Sequence, residues 1–422
     1  MKHNYFVVFL IMVFWFVISF ITNIMGPLIP DIIDNFGLSK LALASFIPTS
    51  FFLAYAVFSI PAGLLIEKKS QKFVLALGFF MPLLGSLLFV AKPTFPMLAT
   101  SSFIIGAGMA MLQTTINPLT RVAGGEENFA FFSVMGQLVF GAASFVSPLV
   151  YSSLVSKLTS GNELSGADAL LKRITPESLP WVSLYWVFAA VLIIVIAIVF
   201  CVRFPEIQLQ EDEKSGGIES YKELFKNKYV YLFFLGILCY TATEQGVANW
   251  IGQFLQDYHG VDKMDGASVV GQFWGLMSVG CLVGLGALKL WDSKTVLKVA
   301  SLMALASLLC ALFGSTGMAL FAFPAFGFSI SVMYSIVYSL ALNSVPRYQG
   351  SFAGILCTAI VGGAVGPLVV GLLSDLMGLR FGLLFVVLTV GYIFSVGCWA
   401  KPLVNNSHID LKSFLKKKTA ER

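Results

Sequence analysis

Long apolar runs broken by short polar or charged intervals set the pattern of this 422-residue chain. A bilayer core needs about 20 apolar residues per helix. Charge-free intervals of that kind fall at 5–27, 43–66, 73–91, 95–118, 129–153 and 180–202. A second set of apolar runs falls at 229–254, 267–288, 295–313, 318–343, 350–373 and 380–400, with Glu244 inside the first of them and Lys298 and Arg380 near the starts of two others. The uncharged stretch from Val299 to Pro346 is too long for one helix, and Gly314-Ser315-Thr316-Gly317 supplies the turn inside it. Between the sets, residues 203–228 form the longest strongly charged interval, with Ser215-Gly216-Gly217 as a flexible centre. The pattern predicts an all-α membrane protein with twelve transmembrane helices in two six-helix halves. Residues 1–204 form the first half, 205–228 a linker, 229–402 the second half and 403–422 a basic tail. Residues 154–178 read as a polar loop outside the membrane.

Composition agrees: 57% of residues are hydrophobic and 12% charged, with a mean hydropathy of +0.85, against about 25% charged in soluble domains. The net charge of +5 comes from basic residues between or beyond the apolar runs, so it implies no nucleic-acid partner. The six cysteines lie in apolar runs and read as small buried hydrophobes, and His3, His259 and His408 are too dispersed for a metal site. The N-terminal run is too long for a signal h-region and reads as a retained first helix. With both termini on one side of the membrane, that side collects 20 of the 27 lysines and arginines, so both termini are expected in the cytoplasm. The tail lysines then read as topology and lipid-surface determinants. A single chain is the expected unit, with the lipid bilayer as its surroundings.

Against that background the polar residues inside the runs stand out. Glu244 lies near the middle of the seventh run, where a lone acid costs roughly 2.5 to 3.5 kcal/mol on insertion scales and normally faces a protein interior or an aqueous cavity. Tyr240, Thr241, Thr243, Gln245, Asn249, Trp250 and Gln253 accompany it. Two readings stand: a site for a coupling cation or substrate, or a structural acid hydrogen-bonded between helices. In the fourth run Gln113 and Asn117 share a helical face at i,i+4 and can present amides to one ligand; Asn23 and Gln137 add hydrogen-bonding groups. Tyr334 and Tyr338 repeat the i,i+4 spacing, a pair suited either to the apolar face of a sugar or to packing. Asn23, Gln113, Asn117, Gln137, Asn249, Trp250, Tyr334 and Tyr338 are therefore expected to line or border a cavity between the halves. Gly63, Glu67 and Lys68 follow Pro61 at the end of the second run and read as a latch for one conformation or as a basic cytoplasmic turn. Gly141 and Pro148 in the fifth run are echoed by Gly362, Gly363 and Pro367 in the eleventh; small residues at this density permit tight, rocking helix contacts. No nucleophile, base and orienter recur at useful spacing and no phosphate-cradling glycine loop occurs, so no enzyme and no cofactor are expected.

The runs Gln113-Thr114-Thr115-Ile116-Asn117-Pro118, Gly327 to Leu342 ending in Tyr338-Ser339-Leu340-Ala341-Leu342, Gln349-Gly350-Ser351, and Ala359 to Ala364 with Pro367 resemble the major facilitator superfamily. Within it they resemble the fucose/galactose/glucose proton symporter family. The likeness runs from Phe14 to about Pro402. Gly63 to Lys72 matches the superfamily's loop motif more weakly, with Glu67 for its aspartate and Ser70 for its second glycine. The resemblance implies sugar uptake across a bacterial inner membrane by alternating access, powered by protons or, in some relatives, sodium. It also locates departures. Asn23 and Gln113 stand where the family's proton symporters carry an aspartate and a glutamate, and Phe140 where an asparagine is expected. Glu244 is then the membrane acid left to couple a cation: low-dielectric surroundings would favour its protonated form, a bound sodium its ionised form. Gradient-independent facilitation, efflux of amphipathic metabolites, and a non-transporting sensor or interaction protein on the same fold are the alternatives.

Overall fold

The computed structural model describes residues 5–124, 129–160, 165–204, 217–345 and 348–401. The first span is α1 (Tyr5–Thr22) followed by α2 (Met25–Phe36); α3 (Leu41–Lys68), α4 (Gln71–Ala91), α5 (Phe95–Gly124) and α6 (Phe129–Thr159) are the next four. A short α7 (Gly166–Ile174) lies in the polar interval before α8 (Ser183–Cys201), and α9 (Gly217–Leu224) belongs to the linker. The second half starts with α10 (Lys228–Ala248) and α11 (Ile251–His259), then α12 (Lys263–Leu290) and α13 (Ser293–Phe313). Three more broken spans follow: α14 (Thr316–Ile330) with α15 (Met333–Ser344), α16 (Gln349–Thr358) with α17 (Gly362–Met377), and α18 (Leu379–Leu383) with α19 (Phe385–Trp399). Twelve spans among the described residues are long and apolar enough to cross a membrane. In hydrocarbon each backbone polar group must be satisfied within its own segment, which is why runs of this length fold as helices. Outward positions carry large apolar side chains such as Ile194, Phe200, Phe321 and Leu388. The predicted tail at 403–422 and most of the predicted linker, 205–216, lie outside the described residues.

The first span is longer than its charge-free interval. Asp31 and Asp34 end the apolar run, yet α2 continues through both because they lie where their carboxylates meet Lys263. The first and seventh spans share one design. Each breaks beside an asparagine, Asn23 or Asn249, and each second segment ends on a left-handed glycine. At Gly37 (φ 60°) the Leu38 N–H returns to the Ile33 carbonyl at 3.0 Å; at Gly260 (φ 63°) the Val261 N–H returns to Leu255 at 3.2 Å. A positive φ is cheap for glycine, and the returning amides satisfy the last carbonyls. This repeat relates the halves more directly than the glycine–proline echo in the fifth and eleventh spans.

Among the described residues the halves meet where α2 packs on α11 and α12, α3 on α16 and α17, and α6 on α12. Small residues let the backbones close up. A Cβ on Gly26 would stand 2.5 Å from the Ala248 carbonyl oxygen, one on Gly141 would run into Ser278, and one on Gly371 into Ser45. The end away from α9 is bridged by polar groups. Lys263 Nζ lies 2.8 Å from a carboxylate oxygen of both Asp31 and Asp34, and Tyr151 Oη donates to Asp31. Asp375, from the end of α17, accepts the N–H groups of Leu41 and Ala42 at 2.7 and 3.2 Å, capping α3 from the opposite half. Deeper in the membrane, Ser45 Oγ donates to the Pro367 carbonyl at 2.9 Å and Thr49 Oγ1 to the Ala364 carbonyl at 3.0 Å. Among the described residues these bridges run from mid-membrane to that end, so the molecule is closed there.

Candidate functional site

Glu244 is one turn before the break between α10 and α11, partly exposed in a segment whose neighbours are almost all buried. Its Oε1 accepts a hydrogen bond from Tyr240 Oη at 3.2 Å. The Tyr240 ring lies 5.5 Å from that of Tyr334, which stacks on Tyr338 at 5.8 Å with 22° between planes. A carboxylate thus stands at one end of a ladder of three phenols built by α10 and α15. The ladder is positioned by interruptions in the helices. Tyr334 is the second residue after the break between α14 and α15, and the Ser331 carbonyl freed there accepts from Cys281 Sγ of α12 at 3.4 Å. At the break in the eleventh span, the Ala359 carbonyl accepts from Thr241 Oγ1 of α10 at 3.4 Å. Irregular backbone at membrane depth is tolerated where its polar groups are satisfied within the protein, as the Ser331 and Ala359 carbonyls are here.

The first half contributes a second polar group. Gln113 Nε2 on α5 donates to Tyr55 Oη on α3 at 3.1 Å; Gln113 is partly exposed, Tyr55 buried. Gln137 on α6 is exposed, one turn from Gly141 and its contact with Ser278 of α12. Phe140 sets its ring edge-on to Trp15 at 5.9 Å. The Phe52 ring lies against Gly363, so the aromatic lining of the first half touches the break in the eleventh span.

The other predicted residues divide by what their polar atoms meet. Asn23 is buried between α1 and α6, its Nδ2 donating to Ser144 Oγ at 2.8 Å and Ser19 Oγ at 3.4 Å. Asn249 Nδ2 turns back on the Gln245 carbonyl at 2.8 Å, and the buried Trp250 donates from Nε1 to the Pro367 carbonyl at 3.3 Å. Pro367 therefore accepts both Trp250 from its own half and Ser45 from the other. Gly362 packs on the Leu238 carbonyl and Thr241, and Pro148 on Gly271 of α12. Only the helical backbone of Asn117, Gly63, Glu67 and Lys68 is described.

Sequence reasoning left out Tyr55, because a tyrosine in an otherwise apolar run carries no pairing signal. It also left out Asp31, Asp34, Lys263 and Asp375, although acids closing the first and eleventh spans opposite a lysine opening the eighth are visible as charges at span ends. Away from the Glu244 cluster, α12, α13 and α14 enclose a lateral cavity of about 280 Å³ lined by Val283, Trp291, Val299, Met303, Phe328 and Val332. Its walls are almost wholly apolar, and it opens sideways to the surface where Val283, Trp291 and Val299 are exposed.

The sequence profile of the Major Facilitator Superfamily matches residues 11–360, and the chain belongs to that family. A protein named glucose/galactose transporter from Brucella abortus biovar 1 (strain 9-941) is 28% identical over 385 residues, covering 90% of each chain. The crystal structure of the E. coli fucose:proton symporter FucP (N162A) superposes with a TM-score of 0.68 at 21% identity, covering 95% of this chain and all of that one. A bacterial homologue of the human lysosomal transporter Spinster, in its inward-facing and occupied conformation, superposes with a TM-score of 0.78 at 14% identity, covering 95% and 97%.

Proposed function

We propose that this chain carries a monosaccharide across a bacterial inner membrane by alternating access, coupled to a cation through Glu244. The observation that carries the reading is the Glu244–Tyr240–Tyr334–Tyr338 ladder: an aromatic surface for the apolar face of a sugar, beside a membrane acid able to exchange a proton or hold a sodium ion. From the other half, the partly exposed Gln113 and the exposed Gln137 carry amides suited to hydroxyls. The relative named glucose/galactose transporter, matched along nine-tenths of both chains, supports the substrate class. With both termini cytoplasmic, as the basic-residue asymmetry favours, the bridged end is the outer one and the molecule faces inward.

Asn23 and Gln113 do not take up or release protons in the working range, so the coupling role falls to Glu244. Counterflow of labelled monosaccharides in proteoliposomes tests the substrate class. Saturable exchange of glucose, galactose or fucose supports it; exchange absent across a broad sugar panel but present for amphipathic metabolites overturns it.

A further inference from the structure

Arg380, near the start of α18 at the bridged end, holds its guanidinium 4.6 Å from the centroid of the Tyr258 ring and 5.8 Å from that of Phe313. Its backbone N–H donates to Tyr258 Oη at 3.3 Å. The head group is thus fixed by stacking, which leaves the in-plane N–H edge of an arginine free to grip an anion. Yet its Nε is buried with no hydrogen-bond partner, and no carboxylate pairs with it among the described residues. The acids nearby in sequence are engaged elsewhere: Asp375 on the Leu41 and Ala42 amides, Asp257 on Gln253 Nε2 at 2.7 Å.

His259, the last residue of α11, presents the same vacancy of partners. Its Nδ1 meets Thr316 Oγ1 at 3.1 Å and its Nε2 is buried without a partner. Burial and the Arg380 charge push its pKa down, which favours the neutral ring. In the tautomer whose Nδ1 accepts from the threonine, Nε2 carries the proton and gives the cluster a second unpaired donor beside the Arg380 cation.

The cluster also sits where membrane and water meet. Phe313 and Phe381 at the span ends are 56% and 52% exposed, and Phe321, one turn along α14, is 72% exposed. These side chains turn apolar surface to the hydrocarbon next to the two donors.

We infer that Arg380 and His259 bind the phosphodiester of a phospholipid whose acyl chains lie on the apolar surface around Phe313, Phe321 and Phe381. A phospholipid satisfies both the donors and the apolar face, whereas free phosphate satisfies the donors alone. One net positive charge in the cluster selects an anionic lipid such as phosphatidylglycerol. The headgroup would tie the end of α11 to α14 and α18, steadying the helix that packs on α2 across the halves.

Native mass spectrometry of the delipidated full chain, titrated with phosphatidylglycerol, tests this. Binding by R380Q and by H259F, which keeps a ring against Phe254, should each be about tenfold weaker than wild type at the tightest site, the loss of one charge-assisted hydrogen bond. Diacylglycerol, which lacks the phosphate, should not distinguish wild type from the variants, and inorganic phosphate in large excess should not displace the lipid. Wild-type affinity for phosphatidylglycerol in either variant, with sugar counterflow intact as evidence of folding, overturns the site. Displacement by inorganic phosphate overturns the lipid as its occupant. Sugar counterflow and lipid titration are separate readouts, so failure of one leaves the other standing.

Discussion

Lys263, the first residue of α12, lies 2.8 Å from Asp31 on α2, two residues 232 positions apart that join the halves of the molecule at one end. Both are largely withdrawn from water, with side chains 24% and 13% exposed, so removing one partner leaves the other's charge poorly solvated. K263M should shift the population towards the state open at that end by about tenfold, the equivalent of roughly 1.4 kcal/mol. Distances between spin labels at Lys92 and Leu376, both exposed at that end, check this. A distribution unchanged from wild type contradicts the latch.

Gly141 and Ser278 set the approach of α6 to α12, since any Cβ on Gly141 would occupy the space of the Ser278 hydroxyl. G141L should hold the helices apart and lower transport at least about fivefold, the overpacking of one contact costing roughly 1–3 kcal/mol. A Cβ on Gly286 of the same α12 would meet no atom within 4 Å. G286A is therefore the neutral control in the same uptake assay.

The phenol ladder separates two roles. Y338A removes an aromatic surface without touching Glu244, so sugar affinity should fall about 3- to 10-fold, matching roughly 0.5–1.5 kcal/mol for an aromatic contact. Y240F keeps the ring beside Tyr334 but deletes the hydroxyl that bonds Glu244 at 3.2 Å. Its effect should appear in the ion dependence of uptake and leave sugar affinity within about threefold. Competition binding and ion titration on the two variants give the comparison.

Asp257, in the last turn of α11, has its pKa pushed up by burial, against the Gln253 hydrogen bond, with the Asp34 charge adding to the rise. A folded pKa above the unfolded one means the folded state holds more protons, so stability falls as pH rises from the ordinary carboxylate range through the raised value. D257N retains the acceptor oxygen for Gln253 and removes the charge. Its Tm should exceed wild type at neutral pH, and the gap should close below about pH 4. A thermal-shift series across pH reads both ends.

The spans were legible because charges in hydrocarbon are costly enough to mark helix ends, and Glu244 was legible because it is an acid near the middle of its run. Its partners were only partly so. Tyr334 and Tyr338 announce themselves by i,i+4 spacing, whereas Tyr240 reaches Tyr334 only through the break between α14 and α15, which no glycine or proline marks at Ser331 and Val332. Asn23 and Asn249 look equivalent to Gln113 as polar residues in apolar runs. Their amides are taken up by Ser144 and by the Gln245 carbonyl, partners set by helix packing and by an unwound turn. The bridge of Asp31, Asp34 and Lys263 depends on which helix ends meet across the halves, information carried by topology rather than by any local pattern.

The coupling role of Glu244 is tested most directly by sugar uptake into proteoliposomes under separately imposed proton and sodium gradients, comparing wild type with E244Q. Wild type should concentrate sugar under one of the two gradients, and E244Q should lose that accumulation while retaining exchange. Concentrative uptake by E244Q with an unchanged ion dependence would contradict the account.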